Sequence, residues 1–357
     1  MTWAMTLAVL GEGSLALDDA STFSGRPRPT LRDLAREAGV SEITASRALR
    51  GEAHVLPETT ARVQEAARKL GYVRNRLAGS LAGGPSNQVG VVLPSLANVV
   101  FPDVLKGLEE VLEEAGFHPV LGISNYDPDR EEHLLEALLA WRPAAIVLAS
   151  AGLSERGIAL LRSANLPVVE IMDVDVEPID MAVGISQTAS GRAMAYYLSG
   201  RGYRRFAYVG HDIARDRRAG RRFEGFRSAL AECGHALAGE MILQEPSSVT
   251  LGRTGTERLL AAMPERPDVI YYSNDDLAVG GMYHCIGTGL SVPADVALAG
   301  FNGLEIGQAL PVPLTTISSG RHEIGRRAAD QILRRLRGET VERKVDVGFT
   351  LLAGASA

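Results

Sequence analysis

From Asn87 to the C-terminus, short runs of apolar and β-branched residues alternate with amphipathic helical patterns, and this rhythm restricts the possible folds more than any other feature. The strand-like runs are Val89 to Leu93, Pro119 to Ile123, Ala145 to Leu148, Val168 to Ile171, Phe206 to Val209, Val269 to Tyr272 and Val296 to Ala299. Helical patterns such as Val104 to Ala115, Arg130 to Leu139 and Arg222 to Ala231 separate most of them. Short apolar strands joined by helices predict an α/β class with parallel sheets covered on both faces. About 270 residues are too many for one open sheet, so two doubly wound lobes are expected.

A different pattern precedes this region. Thr30-Leu31-Arg32-Asp33 is a capping box that opens a first short helix, and Gly39 closes it. Ser41 can cap a second helix running to about Leu49, and a third spans about Pro57 to Leu70 with Gly71 at its end. Residues 1–28 lack sustained periodicity and end in Arg26-Pro27-Arg28-Pro29, so a flexible tail is expected, and a true start at Met5 or later fits equally well. The expected plan is a tail over 1–28, a three-helix domain over 29–73, a linker over 74–86 and a two-lobed domain over 87–357. Within the last, one lobe takes about 87–187 and 317–343, the other about 188–316 and 344–357.

Charge follows the same boundaries. Residues 1–25 carry three acids and no bases, residues 26–84 carry eleven Lys and Arg against six Asp and Glu, and residues 85–357 carry 26 against 34. A net charge of −6 therefore hides a basic segment ahead of a long acidic one, as expected when one part meets phosphate.

Several classes are disfavoured. Cys233 and Cys285 have neither CxxC nor Cys/His spacing, which argues against a disulfide framework or a zinc site. No G-x-G-x-x-G follows a strand, no G-x-x-x-x-G-K-[ST] occurs, and the seven histidines form no H-E-x-x-H, so neither an enzyme nor a bound cofactor is expected. The pair Asp275-Asp276 more plausibly caps a helix than holds a metal. The stretch Met1 to Gly11 lacks a basic leader and no apolar run approaches a membrane span, so a cytoplasmic protein with no membrane partner is expected.

The first two helices carry the chemistry of base reading. Leu34, Ala35 and Ala38 form the apolar face of one, and Ala45, Ala48 and Leu49 face inward on the other. Glu42, Ile43, Thr44, Ser46 and Arg47 are left pointing outward. Arg47 can pair with guanine, Ile43 can touch a thymine methyl, and Glu42 can accept from cytosine N4. Thr30, Ser41 and Arg50 complete the expected DNA-contacting set with the flanking hydroxyls. A generic three-helix surface with scattered charges is the bland alternative.

These residues, followed by Leu70-Gly71-Tyr72-Val73-Arg74-Asn75-Arg76-Leu77-Ala78-Gly79-Ser80-Leu81, resemble the headpiece and hinge of the LacI/GalR repressor family. The resemblance implies a hinge helix formed on operator DNA, with Leu81 wedging into the minor groove and Asn75 and Ala78 packed nearby. An apolar wedge is offset only if it unstacks a base step and bends DNA onto more protein. Two positions depart from the family pattern: Arg74 stands where proline is usual, and Leu56 where serine often caps the third helix.

The remainder resembles the family's core, similar to periplasmic binding proteins. Val91 to Asn98, the run Ser273-Asn274-Asp275-Asp276-Leu277-Ala278-Val279-Gly280, Ala299 to Gly303 and Val347-Gly348-Phe349-Thr350 resemble the gluconate-utilisation subgroup. The resemblance implies a homodimer on operator DNA and a small effector between the lobes, a sugar acid such as gluconate or a sugar. Effectors of such folds lie beyond the carboxyl ends of the strands. Ser95 and Phe101 follow the first strand, Asp173 the fourth, Asn274 and Asp275 the run ending at Tyr272, and Asn302 the run ending near Ala299. Arg222 matches the family's effector-binding arginine, and Arg321 is a second candidate cation. Arg217, Arg218, Arg221 and Arg222 also fit a solvated helix face, Phe101 fits plain core, and Asn or Asp at strand ends are common turn formers. A periplasmic-type solute-binding protein would share the core but not the headpiece. With no leucine-heptad tail after the last strand, a dimer is favoured over a tetramer.

Overall fold

The computed structural model describes residues 29–73, 86–96, 99–150, 152–213 and 215–357. The chain divides into two units, one within residues 1–82 and the other within 83–357.

In the first unit, α1 (Leu31–Ala38), α2 (Glu42–Arg50) and α3 (Pro57–Leu70) pack around Leu34, Ala35, Ala45, Ala48 and Val63. The capping box at α1 is closed in both directions: the Thr30 hydroxyl accepts from the Asp33 amide at 3.2 Å, and the Asp33 carboxylate accepts from the Thr30 amide at 3.0 Å. Gly39 adopts φ 65°, a conformation in which a Cβ would be strained, and so allows the sharp turn into α2. The Ser41 hydroxyl then accepts from the Thr44 amide at 3.1 Å. Leu56 occupies the cap position of α3 and supplies no side-chain bond, so that helix begins on Pro57 alone.

The second unit contains the two lobes. In the first lobe β1 (Gln88–Leu93), β2 (His118–Ile123), β3 (Ala145–Leu148), β4 (Val168–Asp173), β5 (Met181–Ile185) and β11 (Lys344–Asp346) form a parallel sheet in the order β11-β5-β4-β3-β1-β2. Helices α4 (Val100–Glu114), α5 (Pro128–Ala140), α6 (Glu155–Ser163) and α12 (Arg321–Leu336) belong to this lobe. In the second lobe β6 (Phe206–His211), β7 (Leu237–Leu243), β8 (Val269–Tyr272) and β9 (Ala297–Ala299) form a parallel sheet in the order β7-β6-β8-β9. Its helices are α7 (Gln187–Gly200), α8 (Arg217–Glu232), α9 (Val249–Ala262), α10 (Asp275–Thr288) and the short α11 (Glu305–Gln308).

The backbone passes between the lobes three times, near residues 185–187, 318–321 and 346–350, and the last two passages are tied by β10 (Thr316–Ser318) against β12 (Thr350–Leu352). The expected division at the C-terminus needs correction here. The sequence pattern places residues 344–357 in the second lobe, but Lys344, Val345 and Asp346 pair with Ala182, Val183 and Gly184 at the edge of the first sheet. A Lys-Val-Asp run with one half-buried residue gives no local signal of which sheet it will join. The C-terminus does reach the second lobe, where the Ser356 hydroxyl donates to the Leu298 carbonyl at 2.6 Å.

One helix pair governs the position of the cleft residues. A Cβ on Gly191 of α7 would collide with the Arg222 carbonyl of α8, and one on Gly225 of α8 would collide with the Thr188 carbonyl of α7. Two glycines facing opposite backbones let these helices approach closely, fixing α8 and the arginines on it.

Candidate functional sites

On the three-helix unit, α2 presents Glu42, Ile43 and Arg47 to solvent, with Thr44 and Ser46 half-buried. Ile43 is 64% exposed and stands on the same outward face as Glu42 and Arg47. Arg47 and Arg50 share one acid: Glu52 lies 3.6 Å from the Arg47 Nε and 2.5 Å from the Arg50 Nε. The predicted contacts Asn75, Ala78 and Leu81 lie outside the described residues.

In the two-lobed unit, the carboxyl ends of β1 and β2 face those of β6 and β7 across a cavity of about 210 Å³ lined by Ser95, Asn125, Tyr126, His211, Asp212, Arg215, Asp216, Gln244, Ser247 and Asp276. A second cavity of about 490 Å³ shares Asn125, Tyr126 and Arg215 with it and adds Pro94, Ser124, Arg130, Glu131, Gly152 and Arg217. Backbone geometry marks the same region. Asn125, Tyr126, Met172, Asp212 and Asn302 adopt positive φ at or just beyond the carboxyl ends of strands, where non-glycine residues bear strain.

Beneath the cleft the arginines of α8 are mostly tied down. Arg222 is 6% exposed, donates to the Gln187 side chain and to the Ser273 carbonyl at 2.9 Å, and lies 3.7 Å over the Phe301 ring. Gln187 in turn donates to the Met172 carbonyl at 2.7 Å, so the chain of bonds runs from the second lobe to the first. Arg218 is equally buried, donates to the Ala149 carbonyl at 3.3 Å and stacks 5.6 Å above Phe101. The solvated-face reading of α8 therefore fails for both residues. Of the basic positions of α8, Arg218 and Arg222 fall inside the fold, Arg221 is half-buried, and Arg217 and Arg227 are exposed.

Electrostatics follow from this burial. Burial alone would raise the Asp216 pKa, but the Arg218 and Arg222 guanidiniums and His211 outweigh it and hold the carboxyl below its usual range. Burial pushes His211 down, with Nδ1 3.0 Å from the Ser273 hydroxyl, favouring the neutral imidazole. Burial raises Asp173 and Glu131, only partly offset by hydrogen bonds and nearby arginines.

The predicted cleft residues divide accordingly. Ser95 lines the smaller cavity. Asn274 caps α10, accepting from the Leu277 amide at 3.1 Å, and its amide donates to the Ser247 hydroxyl on the cavity wall at 2.8 Å. Asn302 is 6% exposed, its φ of 117° held where its amide donates to the Ile317 carbonyl at 2.8 Å. Asp173 bonds Arg221. Three others are committed elsewhere. Asp275 has no accessible surface, and its two oxygens accept from the Leu304 amide and the Thr316 hydroxyl, each at 2.7 Å. Arg321 is bonded to Asp103 at 2.8 Å and to the Asn302 carbonyl. Phe101 is 2% exposed within the first lobe's core. Sequence reasoning passed over Asn125, Tyr126, His211 and Asp216. Extending the Phe206–Val209 run by two residues would have brought His211 to a strand end.

Among the described residues no helix is long and apolar enough to cross a membrane. Comparison with known sequences matches residues 30–75 to bacterial regulatory proteins of the lacI family and residues 195–357 to a periplasmic binding protein-like domain. The HTH-type transcriptional regulator GntR of Pseudomonas aeruginosa is 41% identical over 332 residues, 92% of this chain and 96% of its own length. Its namesake in Escherichia coli K12 is 35% identical over 334 residues, covering 93% and 99% of the two chains. The crystal structure of a LacI-family transcriptional regulator from Silicibacter pomeroyi superposes with a TM-score of 0.87 at 41% identity, covering 92% of this chain and 99% of that one.

Proposed function

The chain belongs to the lacI family of bacterial regulatory proteins and is a DNA-binding transcriptional regulator, and we propose that it represses sugar-acid catabolism under control of a gluconate-like effector. The observation that carries this reading is a cavity between the lobes, lined by residues with polar and charged side chains, on the chain that also bears the exposed helix α2. Hydroxyl, amide, carboxylate and guanidinium groups line it, which suits a polyhydroxy acid.

Two protomers, each with one headpiece, would meet two operator half-sites related by a twofold axis in the cytoplasm. Ile43 and Arg47 of α2 would read bases, and Leu81 of each hinge would wedge at the operator's centre. Effector binding shifts the lobes between arrangements that differ in operator affinity. The linkage is reciprocal, so an effector that weakens operator binding is itself bound less tightly by the DNA-bound protein.

A thermal-shift screen with gluconate, 6-phosphogluconate and neutral sugars tests the effector class, because a ligand that binds the native state alone raises the melting temperature. Stabilisation by sugar acids is expected, and stabilisation by neutral sugars alone would sink the reading. For the DNA side, Leu81→Ala should weaken specific operator binding far more than nonspecific binding.

A further inference from the structure

The larger cavity has cations that the protein itself leaves unused. Arg130 lies in the first turn of α5 and Arg217 opens α8, so the two guanidiniums come from opposite lobes. Among the described residues neither side chain has a hydrogen-bond or ion-pair partner. The acids beside them are already engaged. Asp127 caps α5 by accepting from the Asp129 and Arg130 amides at 2.9 and 3.2 Å, and Glu131 accepts from the Ser150 hydroxyl at 2.6 Å. Among the described residues the one acid paired with Arg215 is a distant one, Asp212 at 3.6 Å.

Three further observations mark this as a place for an anion. Ser124, which lines the cavity, is 1% exposed and its hydroxyl has no partner among the described residues. The N-termini of α5 and α8 both open here, adding the positive ends of two helix dipoles. Gly152, at φ 149°, lies directly beneath Arg217: a Cβ there would strike its guanidinium, so the absent side chain makes room for that arginine. Arg222 lines neither cavity, and its Nη1 and Nη2 serve Gln187 and Ser273, leaving only Nε without a partner among the described residues.

We propose that Arg130 and Arg217, with Arg215, form the subsite for the effector's terminal anionic group, a carboxylate or a phosphate. The polyhydroxy chain then extends past the shared residues Asn125 and Tyr126 toward His211, Asp216 and Asp276, whose acceptors suit hydroxyl donors. An anion held by arginines of both lobes favours the arrangement that brings them together, giving the differential affinity a switch requires. The assignment rests on the sugar-acid reading above.

Isothermal titration of the full chain and of the double variant Arg130→Gln/Arg217→Gln with gluconate, 6-phosphogluconate and glucose tests it. Both positions are exposed, so the unliganded melting temperature should not move. The double variant should lose at least tenfold in affinity for an acid that the wild type binds. Loss for both acids identifies carboxylate as the occupant, and loss confined to 6-phosphogluconate identifies phosphate. Gly152→Ala, which displaces Arg217, should weaken the same ligand. Unchanged affinity of the double variant for both acids would overturn the subsite and leave the sugar-acid reading standing. A wild type that binds glucose but neither acid would overturn that reading and the subsite with it.

Discussion

The Arg221 guanidinium reaches from α8 in the second lobe to the Asp173 carboxylate at the end of β4 in the first, with Nε and Nη2 each 3.1 Å from the same oxygen. It joins Arg218 on the Ala149 carbonyl, and Arg222 acting through Gln187 on the Met172 carbonyl, in stitching one helix to the opposite lobe. Asp173 is buried and Arg221 partly so, which preserves more of the attraction than an exposed pair would keep.

Removing that stitch should loosen the lobes. Arg221→Ala forfeits a charge-assisted bond worth about 1 kcal/mol net, so effector affinity should fall about fivefold as the closed arrangement becomes less populated. Titration of the variant checks this, with small-angle scattering to follow lobe separation. Unaltered affinity and dimensions would show that Arg221 is not a latch.

The Asp275 carboxyl gives a pH signature. Burial pushes it up to about 6, more than its bonds to Leu304 and Thr316 pull it down. The unfolded chain ionises this group near the ordinary carboxylate value of 3.8 while the fold retains the proton, so its contribution to stability is full below 3.8 and is lost as pH rises through about 6. The loss is on the order of 3 kcal/mol. Urea unfolding at pH 4.5 and 7 should show this component in the wild type and a flatter profile in Asp275→Asn.

The contact between α7 and α8 should tolerate no added methyl. Gly225→Ala pushes a Cβ into the Thr188 carbonyl and is expected to cost about 1–3 kcal/mol. Because α8 carries Arg218, Arg221 and Arg222, the shift should weaken effector binding as well as lower the melting temperature. A variant with wild-type melting and binding would mean the helices part without consequence.

In the headpiece, Glu52 pairs with Arg47 and Arg50, and if these arginines meet DNA as proposed it competes with DNA for them. Glu52→Gln removes two exposed ion pairs, each worth roughly 0–1 kcal/mol, so stability should change little. Operator affinity should rise several-fold at low salt, while Arg47→Ala should lose about 1–3 kcal/mol of sequence discrimination. Fluorescence anisotropy with operator and scrambled duplexes at two salt concentrations separates the two effects.

Features set by near neighbours in the chain were legible without coordinates. The capping box at Thr30, the turn at Gly39, the Ser41 cap and seven of the strands depend on spacings of two to four residues, and the chain itself displays these. The resemblance to the lacI family rests on the same local runs, and the comparisons bear it out. Tertiary structure decided which polar residues are available for binding. Asp275 and Arg321 look like binding groups in sequence, yet their bonds go to Thr316 and Asp103, 41 and 218 residues away. Arg130 and Arg217 are unremarkable surface cations until folding sets them around one cavity from opposite lobes. Local pattern fixes which elements form, because helix hydrogen bonds and caps are short in sequence and a strand shows in its own apolar run, whereas a strand's partner is distant: Lys344 pairs with Ala182. Burial and pairing of a long side chain depend on what distant segments bring to it.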